Sequence, residues 1–147
     1  VRSDALPSLQ RLRASGWRTL MLSGDSPDVA TAVGQSLGFD ASVVTGGASP
    51  EDKLRVVEQL KTEGTVVMVG DGVNDAAAIA AAHVGVGVHG GAEACLSTAD
   101  VYLTQPGLTA LVGLHEGARN TLRVIRRNIA LSIGYNLVGA SLAMAGI

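Results

Sequence analysis

Aromatic residues make up only 3% of this 147-residue sequence, so any core has to be built from alanine, valine, leucine and isoleucine. Charge is scarce too: 16% of residues are Asp, Glu, Lys or Arg, against about 25% in an average soluble domain. With 47% apolar residues, so little charge excludes a disordered chain. Neither sign dominates, since 11 Lys and Arg stand against 13 Asp and Glu for a net charge of −2. No basic field attracts nucleic acid, and no nucleic-acid partner is expected. The single cysteine, Cys95, excludes an intramolecular disulfide framework and is compatible with a reducing compartment. Neither a basic n-region nor an apolar h-region follows Val1, so no signal peptide is visible.

Charge is missing altogether over residues 128–147, a stretch about as long as one that crosses a hydrocarbon core. It runs to the last residue, and the sequence reads as a piece of a longer polypeptide. Arg119, Arg123, Arg126 and Arg127 cluster just before it, which by the positive-inside tendency puts that side in the cytoplasm. Three regions are expected: an α/β region over 1–110, a cytoplasmic helical connector over 111–127, and a transmembrane helix over 128–147.

Within the first region, apolar runs alternate with helical segments. Candidate strands are residues 19–22, 65–69, 84–88 and 101–103, with 42–45 weaker. Ser26-Pro27 and Ser49-Pro50-Glu51-Asp52 each place a capping hydroxyl before a proline suited to the first helical position. Gly38 is expected to stop the first of these helices after Leu37, and Gly64 the second after about Glu63. This alternation predicts an open, doubly wound parallel sheet covered on both faces, with ligands beyond the carboxyl ends of its strands.

Two segments lie at that edge. Ser23-Gly24-Asp25 follows the first strong strand, and Gly70-Asp71-Gly72-Val73-Asn74-Asp75 follows the strand expected to end, buried, at Val69. Gly70 and Gly72 allow a tight turn beside Asp71, and Asp75 stands four residues on, at the start of the next helix. Two carboxylates with an amide suit a hard cation that keeps some waters, as Mg²⁺ does. The Ser23 hydroxyl and neighbouring backbone N–H groups suit phosphoryl oxygens. Lys53, near the start of its helix, would neutralise charge on a transferring phosphoryl group. Taken singly, each has a plainer reading: an Asx turn, a helix cap, a solvated lysine. His83, His89 and His115 lack metal-ligand spacing and read as loop or surface residues, and Cys95 as a small packed side chain.

In this order and spacing, Ser-Gly-Asp, Ser-Pro-Glu-Asp-Lys and Gly-Asp-Gly-Val-Asn-Asp resemble the second half of a P-type ATPase phosphorylation domain, of the haloacid-dehalogenase fold group. The resemblance covers essentially the whole chain. It implies that Asp71 and Asp75 hold Mg²⁺, that Asn74 hydrogen-bonds near the phosphate, and that Lys53 contacts an aspartyl phosphate. Ser23, Gly24 and Asp25 match the family's Thr-Gly-Asp motif with serine for threonine, and Gly70 and Gly72 are candidate cofactor-binding residues. ATP is the implied substrate. The chain departs from the family at Ala77, where a proline is common. It also lacks the Asp-Lys-Thr-Gly-Thr segment that carries the phosphorylated aspartate, so this piece alone should not hydrolyse ATP.

Inside the uncharged stretch, Tyr135-Asn136 is an adjacent polar pair, costly in lipid without a partner. The pair resembles the copper-transporting branch of the heavy-metal pumps, where it helps to hold Cu⁺. The lysine of the zinc and cadmium branch and the acidic residue of calcium or sodium pumps are both missing. The implied partners are the transported metal, the lipid bilayer, the rest of the polypeptide and a metallochaperone. The implied location is the cell membrane, with 1–127 cytoplasmic. A soluble phosphatase of the same fold group is one alternative, with Asp4 the only acidic residue before the first strong strand. A non-catalytic fragment that binds Mg²⁺, phosphate or a partner pump is another.

Overall fold

The structure, a computed structural model, describes residues 1–71, 74–90 and 97–146. Two compact units divide the chain, Val1–Val112 and Gly113–Ile147.

In the first unit, α1 (Ala5–Ala14), β1 (Met21–Leu22) and α2 (Pro27–Ser36) are followed by a 3₁₀ turn (Ala41–Val43), β2 (Val44–Thr45) and α3 (Pro50–Glu63). Then come β3 (Val67–Gly70), α4 (Ala76–Ala81), β4 (Val84–Gly87) and β5 (Val101–Tyr102), and a long helix, α5 (Thr109–Met144), begins. Every strand pair is parallel, as helical crossovers require.

Boundaries follow local chemistry. Ser49 accepts from Asp52 N, and the Asp52 carboxylate accepts from Ser49 N, a full capping box with Pro50 in the first turn. Ser26, expected to do the same for α2, makes no side-chain cap. That helix ends at Ser36, and Gly38 follows in the left-handed region at φ +67°, where glycine is at no disadvantage.

The expected single sheet is instead two hydrogen-bonded pieces among the described residues, β1–β2 and β3–β4–β5. The consequence shows in burial. Val86, on the central strand β4, is fully buried, whereas Val67, Met68 and Val69 on β3 are only half-buried. The strand ending at Val69 is thus not the covered one its apolar run suggested; among the described residues it pairs on one edge only, with β4. The core gathers Leu12, Val86, Leu103, Leu111 and Val112, with Trp17 and Val69 packed against it.

Asp4 precedes α1 but does not cap it. Its Oδ2 accepts from Leu108 N at 2.7 Å, Thr109 N at 3.2 Å and Thr109 Oγ1 at 3.3 Å, and so caps the start of α5. Gly107, at φ +95°, leaves room for that carboxylate, which a side chain there would strike.

The second unit is the rest of α5. The helix is unbroken through the expected connector and ends at Met144, short of residue 147. Its charge-free part, 128–144, rises about 25 Å at 1.5 Å per residue. Among the described residues no helix is long and apolar enough to cross a membrane. The transmembrane helix expected over 128–147 is thus not seen as such among the described residues, where Tyr135, Asn136 and several Gly and Ser residues dilute the apolar character of α5. Leu131, Ile133, Leu137 and Val138 are nonetheless all exposed.

Candidate functional site

One polar cavity of about 560 Å³ opens at the carboxyl ends of β1 and β3. Three separated segments line it: Ser23, Gly24 and Asp25 after β1, Lys53 in the first turns of α3, and Asp71, Asn74 and Asp75 between β3 and α4. Gly70, the last residue of β3, is not part of the lining and lies against the Asp75 side chain instead. Gly72 and Cys95 lie outside the described residues.

Backbone bonds hold the first two segments together. Ser23 N donates to Thr45 O (2.8 Å), Ala48 N to Ser23 O (2.9 Å) and Gly47 N to Asp25 O (2.6 Å). The loop after β1 is thereby laced to the loop that leads into α3. Within it, Ser23 Oγ donates to Asp25 Oδ2 at 3.0 Å and accepts from Asp25 N at 3.2 Å, which fixes the hydroxyl. At the α3 start, hydrogen bonds from Ser49 hold the Asp52 carboxyl below its ordinary pKa, outweighing desolvation. The capping box thus sets the turn from which Lys53 projects.

Lys53 is 7% exposed, not the solvated lysine of the plain reading. Its Nζ meets Asp75 Oδ1 at 2.6 Å, a short charge-assisted bond. The other oxygen, Oδ2, packs against Gly70, where a Cβ would stand 2.5 Å from it. Only a residue without a side chain admits Asp75 this closely. Asp71 and Asn74 are exposed to the cavity.

Among the described residues no group of three or more His, Cys, Asp or Glu forms a metal cage. Mg²⁺ does not require one, since one or two carboxylates with waters and substrate phosphates suffice. The oxygen donors of Asp71, Asn74 and Asp75 on one open cavity fit that habit. Tyr135 and Asn136 lie in the second unit on α5, both exposed, Tyr135 at 80%.

Asp4, the only acidic residue before the first strong strand, does not meet the alternative phosphatase's need for a nucleophile: it is absent from the cavity lining and committed to the start of α5. Desolvation raises its pKa, but the bonds from Leu108 and Thr109 outweigh this and hold it below the ordinary value. No local pattern signals this cap or the role of Asp100, whose Oδ2 accepts from Gly85 N on β4 at 2.8 Å. His83 is exposed, and its Nδ1 accepts from Val66 N at 3.1 Å, a structural use in keeping with its plain reading.

A cavity lined by carboxylates, an amide and a lysine at the carboxyl ends of parallel strands marks an α/β protein that binds its ligand at the sheet edge. The haloacid dehalogenase-like hydrolase family model matches residues 1–83, and the chain belongs to that family. Its relatives are heavy-metal P-type ATPases. It is 44% identical over 99% of its length to the manganese-exporting P-type ATPase of Mycobacterium leprae (strain TN), covering 20% of that protein. It is 36% identical over its full length to the copper-exporting P-type ATPase of the same organism, covering 19%. The crystal structure of a zinc-transporting PIB-type ATPase in its E2.Pi state matches 91% of this chain with TM-score 0.85 and 39% identity, over 22% of that chain. The chain thus spans about a fifth of the length of these relatives.

Proposed function

We propose that the chain is part of a heavy-metal P-type ATPase: residues 1–110 a portion of the phosphorylation domain, 111–127 the connector, and 128–147 the start of a membrane helix. The observation that carries this reading is the convergence of Ser23, Lys53, Asp71 and Asp75, from three separated segments, on one cavity. In this reading ATP phosphorylates an aspartate outside the chain. The Ser23 hydroxyl and adjacent amides bind and orient the phosphoryl oxygens, and Lys53 offsets the charge that builds on them. Asn74 donates to the same group, and Asp25 fixes the Ser23 hydroxyl. Asp71 and Asp75 would hold Mg²⁺, which when bound supplies charge neutralisation at the phosphoryl oxygens. Membrane placement of 128–147 is supported by its lack of charge and its outward apolar side chains.

Copper(I) is the cargo implied by Tyr135-Asn136, with a metallochaperone as its donor and the cytoplasm on the side of residues 1–127. One observation favours a second cargo, Mn²⁺. Phenol and amide oxygens are hard donors better matched to manganese than to soft Cu⁺, and the manganese-exporting relative shares 44% identity. The test uses the full-length pump. Asp71→Asn should cut phosphoenzyme formed from labelled ATP on the order of 100-fold, and normal labelling would reject the site. Turnover stimulated by Cu⁺ but not Mn²⁺, and lost in Asn136→Leu, would support copper; the reverse selectivity would assign manganese.

A further inference from the structure

Charge is uneven in the polar cavity: its lining sets three carboxylates, Asp25, Asp71 and Asp75, against one ammonium, Lys53. Asp25 Oδ2 accepts from the Ser23 hydroxyl at 3.0 Å. Of the three, Asp75 alone is ion-paired among the described residues. Its two oxygens are placed differently. Oδ2 lies over Gly70, so closely that a Cβ there would stand 2.5 Å from it. Oδ1 holds Lys53 Nζ at 2.6 Å, and both side chains are largely buried. A cation on Asp75 would therefore use Oδ1 as well. At a Mg²⁺–oxygen distance of about 2.1 Å it would stand within about 5 Å of the ammonium. One positive charge and two, that close and nearly out of water, repel strongly. Lys53 has little room to withdraw, because it projects from a first turn fixed by the Ser49–Asp52 capping box and is itself buried.

We propose that Lys53 and Mg²⁺ exclude each other at Asp75, so that Lys53 decides when this carboxylate serves the metal. The inference rests on the phosphoryl-transfer reading for the nature of both ligands. While Lys53 holds Oδ1, Asp71 and Asn74 are the oxygen donors left between β3 and α4. A phosphoryl oxygen in the cavity offers the ammonium a second anionic partner, and Lys53 turning to it releases Oδ1. Phosphate and metal then favour each other's binding through Lys53, by the same factor in both directions. A lysine that merely positioned a metal-binding carboxylate would act the opposite way. Its loss would weaken the metal, by about 10–100-fold for supporting residues of this kind.

The test reads binding and needs no turnover. Mg²⁺ alone is titrated into the full chain in non-ionic detergent, and the amide NMR shifts of Ser23 and Asp75 give its affinity. Lys53→Met should tighten Mg²⁺ on the order of ten-fold. Lys53→Gln, which puts a neutral amide in the same place, should show the same gain and serves if the methionine variant does not fold. On an Asp75→Asn background neither change should tighten Mg²⁺, which separates exclusion at Asp75 from the general effect of removing a positive charge. Inorganic phosphate should tighten Mg²⁺ in the unaltered chain, and less so once Lys53 is replaced. Unchanged or weaker Mg²⁺ binding in the Lys53 variants, or an equal gain on the Asp75→Asn background, would overturn the proposal while leaving the metal at the site. Titration shifts that Asp71→Asn leaves untouched, or no shifts at all, would reject the site itself and the proposal with it.

Discussion

Replacing Lys53 by methionine should destabilise the first unit by about 3 kcal/mol. Nζ lies 2.6 Å from Asp75 Oδ1, with the two side chains 9% and 13% exposed. Removing one member of a buried ion pair costs about 3–5 kcal/mol, because the other charge stays behind without compensation. Asp75 borders an open cavity, so returning water brings the cost to the lower end of that range. Methionine keeps the apolar stem of the lysine, which separates loss of charge from loss of packing. Adding Asp75→Asn removes the stranded charge, and the double variant should recover about 2 kcal/mol of the loss. Urea unfolding of the full chain, followed by Trp17 emission, reads both changes. At about 2 kcal/mol per molar urea, the single variant should lower the midpoint by roughly 1.5 M. A shift under about 0.5 kcal/mol, or a double variant no more stable than the single one, would refute the assignment of Lys53–Asp75 as a buried, interdependent pair.

Two further outcomes are expected. Gly70→Ala should cost about 1–3 kcal/mol by driving Asp75 away from Lys53, while Gly64→Ala, with open space around it, stays within about 0.5 kcal/mol; the same unfolding assay compares them. The lowered pKa of Asp4 gives stability that is full above the ordinary carboxylate value near 3.8 and is lost as pH falls through the lower folded value. Asp4→Asn should therefore flatten the acid limb of unfolding followed by circular dichroism, a limb to which Asp40 and Asp52 also contribute; an unchanged limb would exclude the Asp4 cap as a cause.

Much of the first unit was legible because its signals are local. Ser49, Pro50 and Asp52 carry the whole start of α3 within four residues, and α3 runs Pro50–Glu63 with Gly64 beyond it, as expected. The parallel strands were legible from β-branched runs at crossover spacing. Sheet continuity was not, since no property of Val67 or Met68 reports whether a neighbour occupies their far edge. Ser26 misled because a hydroxyl before a proline permits a cap without enforcing one. The site's residues were nameable from motif order, and their convergence on one cavity follows from strand direction. The burial of Lys53 was not readable, because a lysine among Glu51, Asp52 and Arg55 looks solvated until Asp75 is brought beneath it. Asp4 is the clearest omission: its partners lie 104 and 105 residues away, beyond any periodicity.

The Asp4 cap has a consequence for how the first unit comes apart. A contact between residues so distant in the chain closes a very long loop, and the entropy of that closure is spent once and shared by everything inside it. Fraying the opening turn of α5 therefore releases the head of the chain as well, and loosening the head exposes the amides of Leu108 and Thr109. Both ends of the unit should exchange their protons with solvent at one common rate, as a clasp opens on both sides at the same moment.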